Sequence, residues 1–449
     1  MSYLIGLDIG TSSVKGVLMA ECGAIIKTSH GGFDYTRTDD GGVEIDADKF
    51  TQTCFLVIKE LAEKVSGEII AICASSASGN LLVLDKENRP STPIFNWQDK
   101  RVTTESEEFL GEIDKDTLYR KIGWPFSGKT FPLALLCYIK KHFPKKLAEC
   151  GKVCMSTEYL YYKLTGKWGI SSSAGTPFFL IDQEKGAYIP ELLEAVGITE
   201  EMLPPIMPCG SKLGEITKEA SQKCGLDEGT AAVLGSFDHP SAARGVGVLK
   251  EGEVLLSCGT SWVGFFPIKD RNKAATAKTL IDPFLSEKDG TWGGMVSVAS
   301  LSEKIKRYVN RYIDNTANAY KILNSLAEKS VLGANGLTIC LLDEPDDNKI
   351  SAYDKKDIAR AIMEGAVILL KEKLDNLQSI GIIPKSAVMV GGPSESPLYC
   401  KLIEEICGIS VRILHGAHAG AVGAAMLAGI GIGIYKDEED ANEICNGRK

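Results

Sequence analysis

The sequence predicts an α/β protein of two domains, and three observations carry that prediction: chain length, alternation of strand-like and helix-like segments, and a repeated strand–turn–strand unit. At 449 residues the chain exceeds what one hydrophobic core usually supports, so two domains of roughly 200 residues each are expected. The opening LIGLDIGTSSVKGVLMA reads as strand, tight turn, strand, with β-branched and aliphatic residues flanking Gly10, Thr11, Ser12 and Ser13. Far downstream, GEVLLSCGTSWVGFF repeats the pattern and sets Gly259, Thr260 and Ser261 between two apolar runs, which suggests a duplicated unit.

Between the two copies, EIIAICASSASG and LLVLD read as strands, the region from Phe131 to Phe143 as a helix, and TAAVLGSFD as a strand. Such alternation argues for an α/β fold. In the second half, apolar residues at Ile358, Ile362, Leu369, Leu370, Leu374 and Leu377 recur with helical period between Asp357 and Ile380. Gly381 and Pro384 then supply a stop. SAVMVGGP follows as a strand running into a glycine turn. Glycines in ARGVGVL, from Arg244 to Leu249, break the pattern, so the expected domains are residues 1–245 and 246–449.

Composition excludes several classes. With 44% hydrophobic, 24% charged and 7% aromatic residues, the chain has the make-up of an ordinary globular protein. Its net charge is -9 and its basic residues are dispersed, so no nucleic-acid partner is expected. The 13 cysteines are scattered, and the closest pair, Cys150 and Cys154, has no second Cys/His pair at zinc-site spacing. They are expected as reduced, mostly buried thiols. No secretory leader precedes the first strand, which argues for a cytoplasmic protein. Ala417 to Tyr435 is nearly free of charge and close to a membrane-spanning length, but it consists mainly of Gly and Ala and contains His418. Soluble core is the expectation there, with no membrane partner. The Lys140, Lys141, Lys145 and Lys146 group and the acidic run from Asp437 to Asp440 are expected as solvated surface.

A phosphate chain needs closely approaching backbone N–H groups, small hydroxyl side chains and a carboxylate to organise Mg²⁺. Asp8 to Ser13 supplies all three: Gly10 lacks a Cβ, Thr11, Ser12 and Ser13 can donate, Lys15 adds positive charge, and Asp8 ends a strand where it can hold hydrated metal. Taken alone, the same string also suits a plain hairpin turn. The second GTS strengthens the reading, because two such loops can clamp one polyphosphate. A third turn at Val390, Gly391, Gly392 and Pro393 leaves a surface where an adenosine can approach the backbone, or is simply a strand-to-helix turn. Transfer to an alcohol also needs a base, and Asp238, between the strand TAAVLGSF and the small-residue helix start HPSAARGVG, is the candidate. An ordinary helix cap is the competing reading. Trp97, Asp99 and Arg101 alternate in NWQDKR, so an extended strand would present an aromatic, a carboxylate and a cation on one face, a set that suits a polyol. A buried Trp beside a surface ion pair is the alternative.

With these residues in place, the chain resembles the FGGY carbohydrate kinases, which include xylulose, glycerol, gluconate and ribulose kinases, over nearly its whole length. DIGTSSVK resembles the family's first phosphate loop, NWQDKR its sugar segment, GSFDHPSAA its catalytic segment, SCGTS its second phosphate loop and VGGPSES its adenosine loop. AHAGAVGAAMLA is similar to its closing Gly/Ala-rich helix. The resemblance implies a two-lobed actin/hexokinase-type ATPase fold of duplicated ribonuclease H-like domains, with the active site in the interdomain cleft. It implies ATP and Mg²⁺, Asp238 as general base and Asp8 as organiser of the metal. Thr11, Ser12, Ser13, Lys15, Gly259, Thr260, Gly391, Gly392 and Ser396 would serve the nucleotide. Gly79, Asn80, Trp97, Asp99, Arg101, Asp238 and His239 would serve a small sugar or polyol, and relatives are often homodimers.

The sequence departs from the family pattern at four places. Relatives often carry a bulkier polar pair at Gly79–Asn80, such as Met-His in xylulose kinases or Arg-Glu in glycerol kinases, so a familiar substrate is not assumed. His239 follows the base where Gln or Asn is common. A shortened DEPDDNKISAY spans Asp343 to Tyr353, and Val298 and Ser302 stand where relatives often have Gly and Gln. Three other functions compete. A sugar-binding repressor would need a basic helix-turn-helix before Leu4, and a chaperone-like ATPase would need a domain after Tyr435. A sugar-binding sensor or pseudokinase on the same fold would bind the acceptor without turnover.

Overall fold

The computed structural model describes residues 2–414 and 418–447. By contacts the chain forms two units. One comprises Met1–Leu249, Leu280–Trp292 and His418–Lys449, the other Lys250–Thr279 and Gly293–Ala417. The long first segment ends at Leu249, beside the boundary expected at 245, and two later segments return to the first unit.

In the first unit a mixed sheet runs in the order Lys212–Glu215, Ala231–Phe237, Glu68–Ser76, Ser2–Ile9, Ser13–Ala20, Ile25–Gly32. Ser2–Ile9 pairs antiparallel with Ser13–Ala20 and parallel with Glu68–Ser76, which pairs parallel with Ala231–Phe237. The second unit repeats this arrangement: Glu253–Cys258 pairs antiparallel with Trp262–Ile268 and parallel with Ser386–Val390, which pairs parallel with Ser410–Ile413. A hairpin followed by parallel strands thus occurs once in each unit, as the repeated GTS motif predicts.

The opening strand is apolar on both faces because both are covered. Ile5, Leu7 and Ile9 join a core with Phe50, Val57, Ile58 and Leu61 of the helix Ala47–Ala62, while Leu4 packs with Ala421, Ala424 and Ala425. The latter belong to the helix Ala419–Gly431, whose small residues allow backbone to approach backbone. A Cβ on Gly6 would meet the Ala421 carbonyl, one on Gly423 the Ser241 carbonyl, and one on Gly245 the Ala419 carbonyl. The span from Ala417 to Tyr435 is thus core packing, although residue 417 itself lies outside the described residues. No helix among the described residues is long and apolar enough to cross a membrane.

The helix expected from Asp357 to Ile380 is Lys355–Ser379, and the one expected from Phe131 is Phe131–His142. All 13 cysteines are free, and most are buried. The acidic run near the end departs from its expectation. Asp437 caps the helix Glu438–Asn446, and Glu438 is buried in ion pairs with Arg244 and Lys288 instead of being solvated.

Candidate functional site

In the first unit the turn after Ser2–Ile9 is closed by the Gly10 amide donating to the Ser13 carbonyl at 2.9 Å. The Ser12 carbonyl accepts from the Phe33 amide, and the Thr11 hydroxyl accepts the Trp97 indole N–H at 3.1 Å. The loop and the NWQDKR segment are therefore physically joined. Asp8 lies opposite Lys15 in the hairpin register. Burial, reinforced by the charge of Asp238 and opposed by Lys15, lifts the Asp8 carboxyl to about 7. Gly420 presses on it: a Cβ there would stand 2.7 Å from Asp8 Cγ and Oδ2.

Asp238 opens the helix Asp238–Val246 directly after the strand Ala231–Phe237, as the sequence predicts. It sits in the helix's first turn and not at the cap, which is Phe237. Its Oδ1 accepts the His239 amide at 2.7 Å, and its side chain stays about a quarter exposed, at 27%. The His239 ring stands edge-on to Phe237, with Nε2 4.0 Å from Asp238 Oδ1.

The NWQDKR segment differs from its expectation. Residues 96–101 form a turn and not an extended strand: the Asp99 amide donates to the Asn96 carbonyl and the Gln98 amide to the Asn96 side chain. Asp99 is buried and accepts from the Val43 amide, the Arg101 amide and the Arg101 guanidinium. Arg101 also pairs with Glu44 at 2.6 Å and lies over the Phe95 and Tyr138 rings. Asp99 and Arg101 are thus bonded to each other and to the chain, while Trp97 stacks on Phe131 and reaches Thr11. Asn80 is tied to the start of the helix Ser156–Thr165, donating to the Ser156 hydroxyl at 3.0 Å and accepting the Ser156 amide at 2.7 Å. A cavity of 10 Å³, room for one water, lies among Thr11, Asn80, Trp97 and Ser156.

Gly79 has φ +74° and could carry no side chain, because a Cβ would meet the Phe131 ring at 2.7 Å. Phe131 itself has φ +72°, an unfavourable conformation for a bulky residue, although its position before Pro132 already disfavours the helical region. Phe131, Trp124, Phe179 and Phe237 continue the aromatic contacts from Trp97 toward Asp238. Sequence reading did not find this cluster. Its members are scattered between residues 97 and 237, and no local pattern unites them.

In the second unit Gly259 and Thr260 form the exposed turn between Glu253–Cys258 and Trp262–Ile268. Ser302 anchors it, its hydroxyl donating to the Gly259 carbonyl at 2.5 Å and its amide to the Thr260 carbonyl at 3.1 Å. The departure at Ser302 is thus a brace for the loop, while Val298 is buried at the end of a strand. Gly391 has φ +98°, and a Cβ there would meet the Cys258 carbonyl, whereas Gly392 faces open space. Ser396 caps the helix Pro397–Cys407 and donates to Asn324 at 2.7 Å.

Among the described residues no group of three or more His, Cys, Asp or Glu side chains could enclose a metal ion. Asp8 nevertheless suits a hydrated Mg²⁺, an ion commonly held by one or two carboxylates together with waters and substrate phosphates. A cation beside it would offset the unfavourable charge that burial and Asp238 impose.

Comparison with known proteins gives the same assignment across the chain. The N-terminal domain of the FGGY family of carbohydrate kinases matches residues 3–245, and its C-terminal domain matches residues 254–432. The chain is 26% identical to the autoinducer-2 kinase of Yersinia enterocolitica, covering 98% of this chain and 88% of that protein. It is 25% identical to the xylulose kinase of Bacillus subtilis, covering 99% and 91%. Among solved structures, the xylulose kinase of Rhodospirillum rubrum superposes with TM-score 0.85 at 22% identity, covering 96% of this chain and 90% of that one. The gluconate kinase of Lactobacillus acidophilus does so with TM-score 0.87 at 21% identity, covering 99% and 92%. With both domains matched and the two-domain actin/hexokinase-like ATPase fold in common, the chain belongs to the FGGY family of carbohydrate kinases and is a phosphotransferase.

Proposed function

We propose that this protein is a cytoplasmic enzyme that transfers the γ-phosphoryl group of ATP to a hydroxyl of a small sugar or polyol: a ketose, a polyol or a sugar acid. The observation that carries the reading is the setting of Asp238. It is a partly exposed carboxylate at a strand-to-helix junction, with Oδ1 held by the His239 amide and its charge felt at Asp8. Asp238 takes the proton of the acceptor hydroxyl as its oxygen bonds to phosphorus, the bond from phosphorus to the bridging oxygen breaks, and ADP leaves. Thr11, Ser12, Ser13 and Lys15 on the first unit are the proposed phosphate contacts. Gly259, Thr260, Gly391, Gly392 and Ser396 on the second are the proposed contacts for phosphate and adenosine. Asp8 would hold Mg²⁺, which when bound would supply charge neutralisation at the phosphate oxygens.

On the acceptor side, Trp97 offers an aromatic face, and Asp238 and His239 offer polar groups. Asp99, Arg101, Asn80 and Gly79 are proposed to shape this surface, the first three through the hydrogen bonds that hold the segment and Gly79 by making room for Phe131. The test is ADP release with Mg-ATP across a panel of ketopentoses, ketohexoses, polyols and sugar acids. A single strong responder supports the kinase reading and names the substrate. Calorimetric binding of a sugar without any phosphorylation would instead favour a sensor or pseudokinase.

A further inference from the structure

Behind Asp238 lies a buried carboxylate to which the proposed chemistry gives no part. Asp282 sits on the strand Leu280–Leu285, one of the two segments that return to the first unit. The return is pinned at Ile281. Its amide donates to the Gly123 carbonyl at 2.9 Å, and its carbonyl accepts from Trp124 Nε1 at 3.1 Å and Gln183 Nε2 at 2.7 Å. Asp282 is fully buried. Its Oδ2 accepts the Ser173 hydroxyl at 2.8 Å, and Ser173 Oγ in turn accepts the Phe237 amide at 3.1 Å. Its Oδ1 has no partner among the described residues.

Phe237 is the residue immediately before Asp238, and its other polar group is held as well. The Ser236 hydroxyl donates to the Phe237 carbonyl at 3.0 Å. Arg244 donates to the Ser236 oxygen at 3.4 Å and to the Phe284 carbonyl at 2.8 Å, and it pairs with Glu438 at 3.3 Å. Both the N–H and the C=O of residue 237 therefore end on buried side chains, which fixes the peptide from which Asp238 projects. Without an acceptor for its proton, the Ser173 hydroxyl would rotate, and the lone pair that meets the Phe237 amide would no longer be fixed.

Stability does not explain why a carboxylate stands there. A buried charge with an open oxygen is unfavourable. Burial pushes the Asp282 carboxyl up to about 7, with Ser173 and Arg244 opposing and the charge of Asp238 adding.

We propose that Asp282 and Ser173 form one positioning device for Asp238, orienting the proton-accepting carboxylate through the Phe237 amide. The proposal rests on the reading of Asp238 as the base. Misplacement by about 1 Å costs about 100-fold in rate, so Ser173→Ala and Asp282→Leu should each lower kcat by roughly 10- to 100-fold. The KM for ATP should hold. The double variant should lose no more than the worse single one, because the two residues act in series. Should Asp282→Leu not fold, Ser173→Ala carries the test, and Asp282→Asn, which keeps an acceptor for Ser173, should retain more of the native kcat than Ser173→Ala does. Native kcat in Ser173→Ala or Asp282→Leu, or losses that multiply in the double, would overturn the proposal while leaving an inactive Asp238→Asn to support the base. Full turnover in Asp238→Asn would instead remove the base reading, and the positioning role with it.

Discussion

Gly420 is where packing and the proposed metal anchor meet, and replacing it with Ala tests both. The added Cβ would stand 2.7 Å from Asp8 Cγ and Oδ2 and 3.1 Å from Oδ1, against about 3.5–4.0 Å for an ordinary contact. Either the helix Ala419–Gly431 or the Asp8 side chain must move by about 0.8 Å. The helix has little freedom, since its backbone already lies against Gly6, Ser241 and Gly245. Overpacking of this kind costs about 1–3 kcal/mol, and the better helix propensity of Ala returns at most about 1 kcal/mol. Stability should therefore fall by about 0–3 kcal/mol, measured by urea unfolding at equilibrium. Activity should fall further, because a displacement of that size would disturb Asp8 as the proposed Mg²⁺ anchor, and about 10- to 100-fold in kcat with a raised Mg²⁺ requirement is expected. Gly32→Ala, at an exposed glycine with nothing within 4 Å of its Cβ, serves as the control. A Gly420→Ala protein with native stability and native Mg²⁺ dependence would refute the close seating of this helix on Asp8.

Other substitutions follow from the same geometry. Trp97→Phe keeps a ring against Phe131 but loses the bond to Thr11, so the KM for acceptor should rise by the equivalent of about 0.5–1.5 kcal/mol in steady-state kinetics, and an unchanged KM would contradict that link. Gly391→Ala places a Cβ against the Cys258 carbonyl at φ +98°, and calorimetry should show at least about tenfold weaker nucleotide binding. Glu158 is buried, accepts the Met155 amide, and has its carboxyl raised to about 7 by burial. The folded protein therefore holds this proton where the unfolded chain releases it, so the contribution is fully present below about pH 4.5 and is lost as pH rises toward 7, by about 3 kcal/mol in all. Glu158→Gln, which can still accept the Met155 amide, should flatten that pH dependence in urea titrations. An identical slope in the two proteins would show that Glu158 is not the titrating group.

Local chemistry made much of the fold legible. The glycine turns after Ile9 and Cys258, the strand ending at Phe237 and the helix Lys355–Ser379 all follow from patterns within about 20 residues. The alternation in NWQDKR misled, because Asn96 turns the chain back with its own side chain and carbonyl. Asn96 with Asp99 three residues on was the available turn signal. The return of Leu280–Trp292 and of the chain from His418 onward depends on contacts across hundreds of residues, to which periodicity is blind. Glu438 looked like one more charge in an acidic run. Its partner, Arg244, lies 194 positions away, and only the fold brings the two together. Asp282 and the Phe131 cluster escaped notice for the same reason, since neither belongs to a motif.

The most direct test of the central assignment is label transfer from the γ-phosphate of ATP to the best acceptor, compared between native protein and Asp238→Asn at saturating Mg-ATP. The account predicts labelled sugar phosphate from the native enzyme and a loss of at least about 100-fold in the variant, with nucleotide affinity preserved. Labelled product from Asp238→Asn at the native rate would contradict it.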